Sequence, residues 1–362
     1  MIENRIYNFS AGPSMLPEPV LLSAQKNLLN YEGSGMSVME MSHRSKVYDK
    51  IITDCRENLR KVMNIPDNYK VLFLQGGATG MFAAIPLNIA PSGSADYIIS
   101  GNFSGNAYKE AKKYLSDVRV AGTTEAENFS RIPRQEELTL NPDADYVHIC
   151  ENNTIFGTKW HKLPETGNVP LVADLSSCIL SEPVDVTKYG MIYGGAQKNM
   201  APAGFAVVIV REDLLGHKSP LCPKIWDFAT QADKDSMINT PPTFSIYICK
   251  LVLDWIQEIG GLEELKRRNE AKASMLYDYL DSTAFYKSSV EKDSRSMMNV
   301  TFRTASDDLD KKFVQESIEH GFTNLKGHRL VGGMRASIYN AMPKEGVEAL
   351  IDFMKEFAEK NS

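Results

Sequence analysis

Between residues 71 and 210 the chain alternates short apolar runs with stretches of helical spacing, and this alternation limits the possible folds more than any other feature. The runs at 71–74, 97–100, 118–120, 146–150, 169–173, 191–193 and 205–210 are strand-sized, and most are separated by segments too long for hairpins. Such strands pair in parallel, with helices crossing over both faces. The expected fold is therefore α/β, a mostly parallel seven-stranded sheet flanked by helices. Apolar residues at helical spacing predict helices over 18–30, 46–63, 81–88 and 107–115. After Thr240-Pro241-Pro242 the pattern changes to two long helices, 244–259 and 262–280, broken at Gly260-Gly261. Strands at 298–302 and 335–339 and helices at 308–319 and 344–359 then predict a smaller α+β C-terminal domain. The expected division is an N-terminal arm (1–15), a large domain (16–260) and a small domain (261–362).

In an open parallel sheet, residues just past the carboxyl ends of the strands share one rim, where ligands bind. Four groups fall there. Gln75-Gly76-Gly77-Ala78-Thr79-Gly80 follows the first strand and opens a helix, which suits either a phosphate or a tight turn. It carries no GxxxxGK[ST] or GxGxxG pattern, which disfavours a nucleoside triphosphate or a dinucleotide. Asp174 ends another run, either to pair with a protonated ring nitrogen or to cap the next turn. Asn152-Asn153-Thr154 and Phe103 follow two more strands and offer hydrogen bonds and an aromatic face. Finally, Gly194-Gly195-Ala196-Gln197-Lys198 sets one lysine among small residues, where a flat ligand has room to approach a reactive amine.

The formal charge of −6, from 40 basic and 46 acidic residues, leaves no general footprint for nucleic acid or an anionic membrane, so an anion site must be a local cluster. The five cysteines are odd in number and contain no CxxC pair, which points to reduced thiols rather than a disulfide framework or zinc site. His148, His161, His217 and His320 lack metal-ligand spacing and read as structural or exposed. The first residues show no basic segment leading into an apolar one, and the apolar runs are too short to span a bilayer. A cytoplasmic location is expected.

Taken together, these motifs resemble the fold-type-I, class-V aminotransferases that use pyridoxal 5′-phosphate, and among them the phosphoserine-forming branch. The likeness spans the chain. It includes Asn8-Phe9-Ser10-Ala11-Gly12-Pro13, Met41-Ser42-His43-Arg44-Ser45, Asn239-Thr240-Pro241-Pro242-Thr243 and His328-Arg329-Leu330-Val331-Gly332-Gly333-Met334-Arg335. It implies that Lys198 holds the cofactor as a Schiff base and later moves a proton between the substrate α-carbon and cofactor C4′. Asp174 would keep the ring nitrogen protonated, Phe103 would stack on the ring and Thr154 would hydrogen-bond its hydroxyl. Ala78, Thr79, Gln197 and, from a second subunit, Asn239 and Thr240 would hold the cofactor phosphate, so the active sites of a homodimer are shared, with one cofactor per subunit. The family's stacking residue is commonly tryptophan rather than Phe103, and some members carry arginine at the position of Thr79.

The same resemblance assigns Arg44 to a substrate carboxylate, and His43, His328, Arg329 and Arg335 to the substrate phosphate or side-chain carboxylate. Planar guanidinium donors match both groups. The implied reaction is reversible transamination of 3-phosphohydroxypyruvate with L-glutamate to O-phospho-L-serine and 2-oxoglutarate, in serine synthesis. By the same resemblance, the acid 3-hydroxy-2-oxo-4-phosphooxybutanoate, from pyridoxal-phosphate synthesis, would be a second acceptor. Three alternatives remain open on sequence: an aminotransferase for small unphosphorylated acids, a cysteine desulfurase, and a non-catalytic sensor of phosphorylated ligands. No metal, nucleic acid or membrane partner is expected.

Overall fold

The computed structural model describes residues 5–362, so the first four residues of the expected 1–15 arm lie outside the described residues. In chain order the strands are β1 (Tyr7–Asn8), β2 (Tyr69–Leu74), β3 (Ser94–Ile99), β4 (Asp117–Thr123), β5 (Tyr146–Cys150), β6 (Asn152–Asn153), β7 (Thr158–Lys159), β8 (Leu171–Asp174), β9 (Met191–Gly195), β10 (Ala206–Arg211), β11 (Asn299–Phe302), β12 (Phe322–Thr323) and β13 (Met334–Ser337). The α-helices are α1 (Glu18–Lys26), α2 (Lys46–Met63), α3 (Gly77–Ile89), α4 (Asn102–Ala111), α5 (Phe228–Asp233), α6 (Thr243–Glu258), α7 (Gly261–Ser282), α8 (Asp307–Glu319) and α9 (Lys344–Asn361).

The seven-stranded sheet runs β2-β10-β9-β8-β5-β3-β4. Its strands are parallel except β10, which is antiparallel to both neighbours. Alternation along a strand divides its side chains between two cores. Val71, Phe73, Val207 and Ile209 enter one, while Leu72, Leu74, Val208 and Val210 enter the other, beneath α3 and α4. With both faces covered, β5 and β9 are buried at every residue, which explains why their sequences read as apolar runs.

Helix α2 occupies its expected range. Tyr48, Ile51, Ile52, Cys55, Leu59 and Met63 form its buried face, the Ser45 hydroxyl accepts from the Tyr48 N–H, and Asn64 ends it at φ 50°. Other boundaries moved. α3 starts at Gly77 rather than 81 and α4 at Asn102 rather than 107. Their first turns contain small and polar residues that line the rim rather than the core, so periodicity is missing where the helix begins.

A further core joins Phe9 and Met15 of the N-terminal segment to α7, α8, α9 and β11–β13. Here β1 pairs in parallel with β12, Tyr7 opposite Phe322 and Asn8 opposite Thr323, so the segment read as an arm includes a short strand. Helix α7 bridges the cores: Leu262 and Leu265 pack on the sheet side, Leu276 and Leu280 on the C-terminal side. Buried hydrogen bonds fill the seam. The Asn152 amide donates to Ser177 and Asn299, and the Asn299 amide donates to Ser337 and Tyr339. Among the described residues, no helix is long and apolar enough to cross a membrane.

Lys272 of α7, only 3% exposed, directs its ammonium at the carbonyls of Ile338, Tyr339 and Met342, at 3.2, 2.9 and 3.0 Å. It thereby gathers the turn that follows β13. Lys272→Met would strand these acceptors, and we expect a loss of about 2–4 kcal/mol in unfolding free energy, measured by urea titration.

Candidate active site

At the carboxyl rim the sheet opens into a cavity of about 540 Å³, which Gly76, Gly77, Ala78, Thr79, Phe103, Thr154, Asp174, Gln197 and Lys198 help to line. Because β10 runs antiparallel, its start rather than its end meets this rim, and Ala203, Gly204 and Phe205 contribute there.

Lys198 lies in the turn that leaves β9 and is 8% exposed. Its Nζ donates to the Thr154 hydroxyl at 2.6 Å and sits 5.4 Å from the centre of the Phe103 ring. Burial is the main cause of its lowered pKa; Arg335 adds to the fall, and Asp174 opposes it. The amine is thus reachable from the cavity while its charged form is disfavoured, as a nucleophile or base requires. The backbone is fixed from outside: the Ser14 N–H donates to the Gln197 carbonyl at 3.0 Å, and the Ser14 hydroxyl donates to the Lys198 carbonyl.

Asp174 ends β8, buried beside the cavity. Its Oδ1 accepts the Ser176 N–H at 2.8 Å and the Ser176 hydroxyl at 2.5 Å. Burial raises its pKa, and Ser176, Lys198 and Tyr193 oppose the rise. This carboxyl is therefore both turn cap and candidate charge partner, so the two sequence readings of it are compatible.

The phosphate-suited end is the start of α3. Gly76 is its N-cap, at φ 108° and without a side-chain cap, so the first backbone N–H groups of a 13-residue helix remain available at the cavity. A Cβ on Gly76 would lie 3.3 Å from Gly80 Cα, and the Trp226 indole packs close to the same turn. Gln197 folds its amide over Gly195 and also lines the cavity.

Arg335 approaches from the C-terminal core. Its Nη1 donates to the Thr154 carbonyl at 3.1 Å, while its buried Nε has no partner among the described residues. Thr154 thus holds Lys198 through its hydroxyl and Arg335 through its carbonyl. His328 is near enough for Arg335 to lower its pKa, after burial as the larger cause; Arg329 is exposed.

Besides Arg335, His328 and Arg329, four more of the expected residues lie outside the lining of the Lys198 cavity of their own chain. His43 and Arg44 line a separate opening with Asp49, Asp233 and Asp235. Asn239 and Thr240 are exposed; the Asn239 amide donates to Gln75 Oε1 at 2.7 Å, and the Gln75 amide donates to the Thr240 carbonyl at 3.2 Å.

Sequence reasoning gave no role to Pro13, Cys150, Ser176 or Trp226. Pro13, Cys150 and Ser176 line the cavity, while Trp226 backs the glycine turn. Ser176, two residues after Asp174, carried a usable signal, since an aspartate commonly accepts from the backbone two residues on.

The family model for class-V aminotransferases matches residues 6–350. The chain belongs to the class-V aminotransferases. A phosphoserine aminotransferase of Desulfatibacillum aliphaticivorans is 52% identical to it, over 99% of this chain and 100% of its own. The solved phosphoserine aminotransferase of Bacillus circulans subsp. alkalophilus matches with a TM-score of 0.97 at 46% identity, covering 99% of this chain and 100% of that one. The PLP-bound phosphoserine aminotransferase of Trichomonas vaginalis matches with a TM-score of 0.93 at 38% identity, covering 97% and 100%.

For this class-V aminotransferase, the turn at Gly76 offers a direct check of the rim geometry. Gly76→Ala forces a side chain into a left-handed backbone and against Gly80, and should lower stability by about 1–3 kcal/mol, seen as a lower urea midpoint.

Proposed function

We propose that this chain is a pyridoxal-phosphate-dependent phosphoserine aminotransferase, reversibly transferring the amino group of L-glutamate to 3-phosphohydroxypyruvate to give 2-oxoglutarate and O-phospho-L-serine. The observation that carries the reading is the double use of Thr154, a residue lining the cavity, which joins the buried Lys198 through its hydroxyl to Arg335, an arginine with no carboxylate partner among the described residues, through its carbonyl. A phosphorylated four-carbon 2-oxo acid, 3-hydroxy-2-oxo-4-phosphooxybutanoate, suits the same cationic end as a second acceptor.

The donor set fits the cofactor. The uncapped start of α3, through Ala78 and Thr79, would hold the phosphate together with Gln197. Phe103 would cover one face of the ring, Thr154 would bond its hydroxyl, and Asp174 would pair with its nitrogen. When bound, pyridoxal phosphate supplies the carbonyl carbon that takes up the amino group and a protonated ring that accepts the electron pair left at the α-carbon. Lys198 Nζ removes the proton from the substrate α-carbon as a neutral amine, a form that burial favours. Arg335, with His328 and Arg329 beside it, would orient the phosphate or the distal carboxylate, which selects the acceptor.

His43, Arg44, Asn239 and Thr240 find their use in a homodimer with shared active sites. They lie outside the Lys198 cavity of their own chain and would complete the cavity of the partner. The division into an arm (1–15), a large cofactor-binding domain (16–260) and a small domain (261–362) belongs to the same reading, supported by the separate cores on the two sides of α7. We also place the protein in the cytoplasm, where this reaction serves serine synthesis.

Substrate profiling tests the reading. Lys198→Ala should cut transamination of every substrate at least about 10³-fold. Arg335→Ala should lower kcat/KM for 3-phosphohydroxypyruvate about 10–100-fold while changing that for unphosphorylated pyruvate little. Efficient use of pyruvate beside no turnover of the phosphorylated acid would refute the proposal. For the shared site, inactive Lys198→Ala and Arg44→Ala proteins mixed through refolding should recover about a quarter of wild-type activity, because half of the dimers are mixed and each then holds one intact site.

A further inference from the structure

Phe103 and Thr154, the two side chains that face Lys198 across the cavity, stand on loops tied together from behind by one residue. Phe103 lies on the first turn of α4, just after β3 leaves the sheet at Ser100-Gly101, and Thr154 lies at the tip of the β6–β7 hairpin. Asn153, 2% exposed, donates twice from its amide: to the Ser100 hydroxyl at 3.2 Å and to the Thr158 hydroxyl at 3.0 Å, both on fully buried residues. Its main-chain carbonyl accepts the Gly157 N–H at 2.8 Å. Asn153, Ser100 and Thr158 all stand behind the cavity rather than in its lining.

The approach is close enough to dictate a neighbour. A Cβ on Gly101 would lie 2.5 Å from Asn153 Oδ1 and 3.1 Å from its Cγ, so the exit turn of β3 accepts the carboxamide only because it has no side chain there. Within α4 the same turn is braced by Ser104, whose hydroxyl accepts the Ser100 N–H at 3.1 Å and donates to the Gly101 carbonyl at 3.0 Å. The hairpin tip is held from elsewhere. Arg335 donates to the Thr154 carbonyl, the Thr301 hydroxyl to the Phe156 carbonyl at 3.2 Å, and the Ser296 N–H to the Gly157 carbonyl at 2.9 Å, all three from the C-terminal part of the chain. Without Asn153, the tip would follow that part and Phe103 would follow the sheet. Asn153 Oδ1 is buried with no partner among the described residues, a cost to stability that an apolar residue packed here would avoid.

We propose that Asn153 is a positioning residue for the transamination, locking the Phe103 ring and the Thr154 hydroxyl to each other so that the cofactor ring meets the Lys198 amine in a single geometry. The proposal rests on the places given above to Phe103 and Thr154 at the cofactor. Asn153 acts only through the two loops it joins. Packing alone would hold each loop down yet let one slide past the other, because dispersion has little directional preference. Two N–H bonds diverging from one planar amide remove that freedom. The precision matters, since a misplacement of about 1 Å between reacting groups can lower turnover by about 10²-fold.

The test compares wild type with Asn153→Ala, Ser100→Ala and the double variant, with Tyr97→Phe as a control for a buried hydrogen bond lost elsewhere. Tyr97 also lies on β3, where its hydroxyl bonds that of Tyr146 at 2.6 Å and its ring stacks on His148, whose Nε2 is 2.8 Å from the Tyr193 hydroxyl. Asn153→Ala should lower kcat about 10-fold with the KM for glutamate within about twofold. Independently of activity, it should weaken binding of pyridoxal phosphate to the cofactor-free chain about 10-fold. The circular dichroism of the bound cofactor's absorption band, which reports a ring held at one tilt, should fall by about half. Ser100→Ala removes a single oxygen and should show the same changes in smaller measure, about 3-fold in kcat; added to Asn153→Ala, it should change kcat by less than about twofold, because both act through one bond. Tyr97→Phe should lower the unfolding midpoint and leave dichroism and cofactor affinity as in wild type. Unchanged kcat and dichroism in Asn153→Ala, multiplied losses in the double variant, or an equal loss of dichroism in Tyr97→Phe would overturn the proposal. Should Asn153→Ala fail to fold, Ser100→Ala decides. If Phe103→Ala leaves both cofactor affinity and dichroism untouched, the reading of the cofactor site is itself wrong; normal dependence on Phe103 beside an indifferent Asn153→Ala sinks only the tie.

Discussion

Burying a lysine amine at the mouth of a sheet costs several kcal/mol unless it is hydrogen-bonded or neutral, and much of this structure addresses that cost. Lys198 uses both remedies: Thr154 accepts its hydrogen bond, and its pKa falls. Neither would hold if the loop could turn the side chain outward. The Ser14 bonds to the carbonyls of Gln197 and Lys198 prevent this, and Gly12 makes close packing possible, since a Cβ there would lie 3.3 Å from Lys198 Cγ. The N-terminal segment is therefore part of the site, although it belongs to the C-terminal core by packing.

The polar seam between the cores serves a related need. Arg335 sits on β13, and its distance from Lys198 is only as well defined as the junction between the two bodies. An apolar junction would tolerate small slides, because dispersion has little directional preference. The chain Asn152–Asn299–Tyr339 is directional, and it ends on the N-terminal segment, where the Tyr339 hydroxyl donates to the Ala11 carbonyl at 2.9 Å. Slipping by one position would break several buried hydrogen bonds together, each costly to leave unmade.

Much of this architecture was legible in the sequence because strands buried on both faces leave continuous apolar runs, and because Asp174 and Gln197-Lys198 stand just beyond two of them. The direction of β10 was not legible, since an apolar run reads the same either way. β1 was hidden for a different reason: two residues in a turn-rich stretch pair with two others more than 300 positions away, and no local pattern records a partner so distant. The early starts of α3 and α4 escaped because their first turns face a ligand cavity, where glycine and small polar residues replace the periodic signal. His148 was read as an ordinary structural or exposed histidine, and only the register of β5, β8 and β9 reveals which side chains it joins.

The pairing of β1 with β12 also has a consequence for how the molecule is made. Tyr7 and Asn8 are synthesised more than 300 residues ahead of their strand partners, Phe322 and Thr323. The bonds that Ser14 makes to the lysine turn lie beside that pairing, so the sheet has time to form around a lysine that is not yet clamped. Until residue 322 is made, the Ser14 contacts to the Gln197 and Lys198 carbonyls lack the strand pairing that anchors their segment. The clamp on Lys198 thus closes through a pairing between segments more than 300 residues apart, and its formation follows that of the sheet it steadies.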